Sequence, residues 1–301
     1  MRSPLLSRTH WVRTIAALDP IGDYERIAAI TARHEFPWDV QQALSFALFR
    51  TYAVPSIGRL LDETGEFTQR TQKRHDDTAL LLDEISEHGL ASPDGRRAIR
   101  RVNQMHRAYD ITNDDMRYVL ATFVVVPARW IEAYGWRRLT VAEIDAGTAY
   151  YRRLGELMGI RDIPATYTEF AQFLDEYEAE HFAYDDGGRR VAEATLELLC
   201  SFYPRPARRI VRVFAISIMD DHLRRTFRFA APAPIAVRAS RSALRLRGRL
   251  ESLLPARRHP KRVKNLRIVR SYPNGFDVDD LGTFPSGCPV PRPRTANTYA
   301  K

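Results

Sequence analysis

The residues best placed to do chemistry lie in the run Arg100-Arg101-Val102-Asn103-Gln104-Met105-His106-Arg107-Ala108-Tyr109. Read as a helix, this run sets His106 into an apolar stripe with Val102 at i−4 and Tyr109 at i+3. An inward-facing imidazole needs a partner for each ring nitrogen, whether a hydrogen bond, a metal or a haem iron. A satisfied core histidine and a ligand are both open readings of that pattern. Arg101 lies on the same helix but about 140° around it, so the two need not share a partner. Asn103, at i−3, can reach the side of His106.

Other polar residues carry a functional and a structural reading side by side. Arg50 and Tyr52 precede Pro55 and either line the same pocket or pack. Tyr118 and Thr122, at i and i+4, present hydroxyls to a ligand or bury them. Asp114 and Asp115 follow Asn113, a good N-cap, where carboxylates suit the helix dipole. Glu178 and His181 have the spacing of half a di-iron site, but the second ExxH is missing from the chain, and a local surface pair is the expected account. No P-loop, GxGxxG, GxSxG, HExxH or kinase set occurs, so the common nucleotide and hydrolase chemistries have no motif here. Cys200 and Cys288, the two cysteines, are too few for a disulfide framework or a CxxC metal site and fit a reducing cytosol.

The elements that must position these residues are helices. Apolar residues recur at helical spacing over Trp38 to Tyr52, Asp76 to His88, Asp94 to Asp110, Val141 to Met158, Tyr167 to Tyr184, Arg189 to Phe202, Pro206 to Met219 and Ser240 to Leu254. Another helix is expected to run from Asn113 to Val126 and to break at Pro127. Only weak strand candidates, such as Val263 to Val269, compete. The fold class is therefore all-α: one multi-helix bundle over residues 21–230, an N-terminal arm over 1–20, and a basic C-terminal extension over 231–301 that starts at the joint Ala230 to Ala236.

At 301 residues, 45% hydrophobic and 28% charged, the chain has the balance of a globular protein. The apolar run Tyr118 to Ala128 sits between Arg117 and Arg129 and is too short to span a bilayer. The stretch Trp11 to Leu18 is cut by Arg13, so no secretory signal is read and a bacterial, cytoplasmic protein is expected. Residues 205–270 hold 19 Lys and Arg against 3 Asp and Glu; since the whole chain is +9, the remainder carries −7. That asymmetry points to an anionic partner, membrane before nucleic acid, because aromatics do not interleave the basic run. The helix over Ser240 to Leu254 either lies peripherally on an anionic membrane or packs its apolar stripe back on the bundle.

The run Arg101-Val-Asn-Gln-Met-His106-Arg-Ala-Tyr109, followed by Asn113-Asp-Asp-Met116, Tyr118-Val-Leu-Ala-Thr-Phe123 and Arg129-Trp130, resembles the MpaB-type branch of the rubber-oxygenase (latex clearing protein) superfamily. Leu48-Phe-Arg50-Thr-Tyr52-Ala-Val-Pro55, Lys73-Arg-His-Asp-Asp-Thr78, Met158-Gly-Ile-Arg161 and Ser271-Tyr-Pro273 extend the likeness. The resemblance implies an all-helical oxygenase that uses haem b and O2 on an apolar isoprenoid or lipid-like substrate. It implies a haem pocket that includes His106, Arg101, Asn103, Tyr109, Tyr118 and Thr122, with His106 as metal ligand and His106 and Arg101 as catalytic residues. One departure stands out: where the haem-binding branches carry their usual histidine, this chain has Leu120, which cannot ligate iron. The alternative is a non-catalytic helical protein that binds an apolar ligand or a membrane surface.

Overall fold

The computed structural model describes residues 5–283. Cys288 and the proline-rich tail lie outside the described residues. Among those described are fourteen α-helices and no strand, as the helical spacing requires. α1 (His10–Ala16) and α2 (Tyr24–Ile30) lead through a π-turn at Thr31–Glu35 into α3 (Pro37–Tyr52). α4 (Pro55–Glu63), α5 (Glu66–Gln69), α6 (Thr71–His88) and α7 (Pro93–His106) follow. α8 (Asn113–Tyr134), α9 (Val141–Leu157), α10 (Tyr167–His181) and α11 (Asp186–Ser201) build the centre. α12 (Arg208–Ile218), α13 (Asp221–Thr226) and α14 (Pro234–Ser252) close the described helices.

Side-chain caps fix six of the fourteen helix starts. Ser92, Thr140, Thr166, Asp185 and Asp220 each accept a hydrogen bond from the first turn, and Thr140 and Glu143 form a full capping box. Three local expectations are corrected. The N-cap of α8 is Thr112, whose hydroxyl takes the Asp115 N–H, while the Asn113 side chain instead bonds the backbone of Arg161. Pro127 does not end α8, because the following turns bury Trp130 and Ile131 and that packing outweighs one lost hydrogen bond. The segment Val263 to Val269 contains a 3-10 turn at Val263–Asn265 rather than a strand.

α8 is the axis, packed on α3, α9 and α10, while α6 pairs with α7 and α12 with α14. α4 crosses α11 so closely at Gly58 and Gly188 that a Cβ on either would stand 2.5 or 2.4 Å from the Tyr52 carbonyl oxygen. That crossing holds the end of α3, and with it Tyr52, against the core. α14 begins inside the expected joint; Leu244 is buried and Gly248 meets the Tyr134 carbonyl on α8. The chain then runs back over α6 and α7, where Leu281 is fully buried. Part of the basic third is neutralised there and nearby: Arg247 pairs with Asp39 and Glu251, Arg262 and Lys264 with Glu87, and Arg212 with Glu193.

Candidate functional site

Two apolar cavities lie between α3, α6, α8 and α9, one of about 290 Å³ and one of about 250 Å³. They share Leu48, Thr78, Leu82, Phe123, Tyr151 and Leu154 in their walls and so adjoin each other. The larger is closed at one end by the last turn of α7 and by α6, which bring His106 and Arg74 to the same wall. α7 stops at His106 because the next residues make tighter i−3 turns, Ala108 to Met105 and Tyr109 to His106. Tyr109 thus leaves the helix but still lines the cavity.

The polar groups at that wall are under-partnered. The His106 Nδ1 is buried without a hydrogen-bond partner. Burial first, and the Arg74 charge second, push its pKa down to about 4, so the imidazole is neutral at pH 7. The Arg74 guanidinium donates to Thr78 Oγ1 and lies over the Phe67 ring, 5.0 Å from its centroid. No carboxylate lies within ion-pair distance of it among the described residues, and burial lowers its pKa. Tyr52, on the same cavity, has its hydroxyl buried beside the Thr195 hydroxyl without a hydrogen bond of normal geometry. An apolar chamber therefore ends in a neutral imidazole, a cation and a phenol, a donor set that suits a ligand with a metal or acceptor atoms at that end.

The other expected site residues are placed elsewhere. Arg101 is buried, but its guanidinium donates to the carbonyls of Leu281 at 2.8 Å and Thr283 at 3.3 Å and to Gln104, facing the returning C-terminal segment. Asn103 ties α7 to the end of α9 through the Leu157 carbonyl. Thr122 bonds back to the Val119 carbonyl inside α8. Tyr118 is fully buried and donates to Glu178 Oε1 at 3.1 Å. Glu178 is held by the Arg50 guanidinium, which also pairs with Asp220, so Glu178 does not pair with His181; the His181 ring stacks on Tyr177 at 3.9 Å instead. Asp115 is a buried bridge that accepts from Ser56 and Tyr177, rather than a simple helix-start charge. Leu120 lines the His106 cavity and packs on Gly155, where a Cβ would meet its Cδ2 at 2.5 Å.

Arg74 and Thr78 are the cavity residues that sequence reasoning passed over. Their i, i+4 spacing was visible in Lys73-Arg-His-Asp-Asp-Thr78, but nothing local in it tells an inward arginine from a solvated one.

The family model of the ER-bound oxygenase mpaB/B′/rubber oxygenase catalytic domain matches residues 41–249. The chain is 34% identical over 221 residues to the ER-bound oxygenase mpaB′ of Penicillium brevicompactum, a match covering 67% of this chain and 52% of that protein. It is 32% identical over 213 residues to the ER-bound oxygenase mpaB of Penicillium roqueforti (strain FM164), covering 65% of this chain and 72% of that one. With mpaB of Penicillium brevicompactum it shares 34% over 194 residues, covering 58% and 50%. The matched region thus spans about half the length of two of these relatives. All three are fungal, which does not match the bacterial source expected above.

Proposed function

The chain belongs to the family of the ER-bound oxygenase mpaB/B′ and rubber oxygenase catalytic domain, and from that premise we propose that it is an O2-dependent oxygenase acting on an apolar, isoprenoid or lipid-like substrate held in the two adjoining cavities. The observation that carries this reading is the pairing of His106 and Arg74, both short of partners, at the end of a chamber whose walls are otherwise apolar.

The residues at that wall fit haem b. The His106 imidazole would hold the iron, and the Arg74 guanidinium would take a propionate. An iron held by one protein nitrogen needs the rest of its coordination from a porphyrin, whereas a non-haem site needs about three side chains, and among the described residues no such trio gathers. When bound, haem supplies the activation of O2. The chain's own contribution is positional. Leu48, Leu82, Phe123 and Leu154 exclude water and align an extended apolar substrate. Thr78 fixes the plane of Arg74, and burial keeps His106 neutral and able to donate its lone pair.

This enzyme is read as a peripheral one, working where an apolar substrate collects, at a membrane surface. No helix among the described residues is long and apolar enough to cross a membrane. The test is a spectrum and a turnover assay after reconstitution with haemin: a Soret band and O2 consumption with an isoprenoid substrate support the reading. A colourless protein that binds the same substrate without consuming O2 would return the chain to the non-catalytic alternative.

A further inference from the structure

α14 has two unlike faces. Ser240, Leu244, Gly248 and Glu251 turn into the body. On the other side Leu246, Leu250 and Leu253 are 55%, 56% and 81% exposed, spaced by four and three residues along one stripe. The apolar pattern expected to pack back on the bundle therefore divides, with Leu244 inside and three leucines outside. α12, which packs beside α14, also exposes Ile210 and Val213, at 72% and 45%.

Arg238, Arg245 and Arg249 run along one edge of the stripe, about 60 to 100° around the helix from it. All three are exposed, and none has a carboxylate within ion-pair distance among the described residues. Arg247, turned the other way, pairs with Asp39 and Glu251. The edge is thus left cationic while the inward arginine is neutralised.

We infer that this face of α14 is a docking surface for an anionic lipid bilayer. Exposed leucines in a row are costly in water and mark an interaction site. The core of a protein partner's interface is depleted in charge, whereas a leucine stripe edged by guanidinium groups matches the acyl boundary and the phosphate layer of a membrane. The charge distribution orients the approach: residues 205–270 carry 19 basic against 3 acidic side chains, and the remainder of the chain is acidic, so an anionic surface attracts this end and repels the rest. The inference rests on the reading of a surface-working enzyme and is independent of the oxygen chemistry.

The test is co-sedimentation of the full chain with vesicles of phosphatidylcholine mixed with phosphatidylserine and with vesicles of phosphatidylcholine alone, at low and high salt. Binding to the anionic vesicles, weakened by salt, is expected. The charge-reversed variant R238E/R245E/R249E lowers partition by about a hundredfold. The apolar variant L246S/L250S/L253S lowers it by about tenfold or more at unchanged circular dichroism, because these side chains are already in water in the unbound protein. Absence of binding at low salt, equal binding to neutral vesicles, or a leucine-dependent dimer in solution without vesicle binding overturns the inference. Any of those results alongside an intact Soret band and turnover would leave the proposed oxygenase activity standing and remove its placement at a membrane surface.

Discussion

Asp76 on α6 and Ser271, 195 positions later, are joined twice: the buried carboxylate oxygen Oδ2 accepts the Ser271 hydroxyl at 2.7 Å and its backbone N–H at 2.9 Å. The same oxygen takes the Arg270 N–H at 2.9 Å, and Gln72 bridges Asp76 to the Ile268 carbonyl. One side chain thus organises the return of the C-terminal segment over the helices that carry Arg74 and His106.

That arrangement has a pH signature. Burial raises the Asp76 pKa, but the hydrogen bonds from His75, Ser271 and the 270–271 backbone outweigh it and leave the pKa lowered. A carboxylate whose folded pKa is depressed adds stability above its unfolded value of about 3.9, and that stability is lost as pH falls through the folded value. The denaturation midpoint should drop as pH falls below about 4, and Asp76→Asn should flatten that drop while costing about 1–3 kcal/mol at neutral pH. Urea titrations across this range check it; a variant with the wild-type pH slope refutes it.

Arg50, Glu178 and Tyr118 form a second buried polar group, tying α3 to α10 and α8. Glu178 is 5% exposed at its side chain and has Arg50 as its ion-pair partner, whereas Arg50 also pairs with the half-exposed Asp220, so removing Arg50 strands the Glu178 charge in the interior. Arg50→Met alone should cost about 3–5 kcal/mol, and Glu178→Leu in the same chain should recover much of it. Chemical unfolding of the two single variants and the double variant measures the coupling, and additive losses would show that the pair is not a unit.

Two prolines show how far local reading of the sequence reaches. Pro55 lies beyond the end of α3 at Tyr52 and opens α4 at its first position, where a missing N–H is harmless. Pro127 was read as a stop and lies inside α8, since burial of Trp130 and Ile131 is a tertiary term no window contains. Nine of the fourteen described helices were legible because hydrophobic period is local, whereas α1, α2, α4, α5 and α13, each of nine residues or fewer, are too short to show it. Of the polar residues expected at the site, His106, Tyr109 and Tyr52 reach the cavity wall. Arg101, expected as a catalytic residue on the same helix as His106, binds the returning chain, while Arg74 arrives from the neighbouring helix. Which arginine turns inward depends on how α6 pairs with α7, and that pairing is set across the bundle.

Pro127 also gives a stability prediction. An interior proline costs a helix up to about 3 kcal/mol, so Pro127→Ala should raise the melting temperature while enlarging the smaller cavity, which Pro127 lines. A lower melting temperature would mean that the ring's packing, not the lost hydrogen bond, dominates there.

Arg74 separates stability from function most sharply. Its guanidinium has no carboxylate partner among the described residues, and its hydrogen-bond partner Thr78 still has the Arg74 carbonyl to donate to when the side chain is gone. Arg74→Met should therefore fold at least as stably as the wild type, because it removes an uncompensated buried cation. It should also lose about tenfold or more in haem affinity or turnover, since nothing else at that wall supplies a positive charge. Arg74→Lys, a point charge without the planar fork, should fall between the two. His106→Ala should keep its helix content and lose the Soret band. Leu120 shares the cavity with His106, so Leu120→His in the His106→Ala chain should bring a Soret band back. Undiminished haem binding and turnover in both Arg74→Met and His106→Ala would remove this wall from the site.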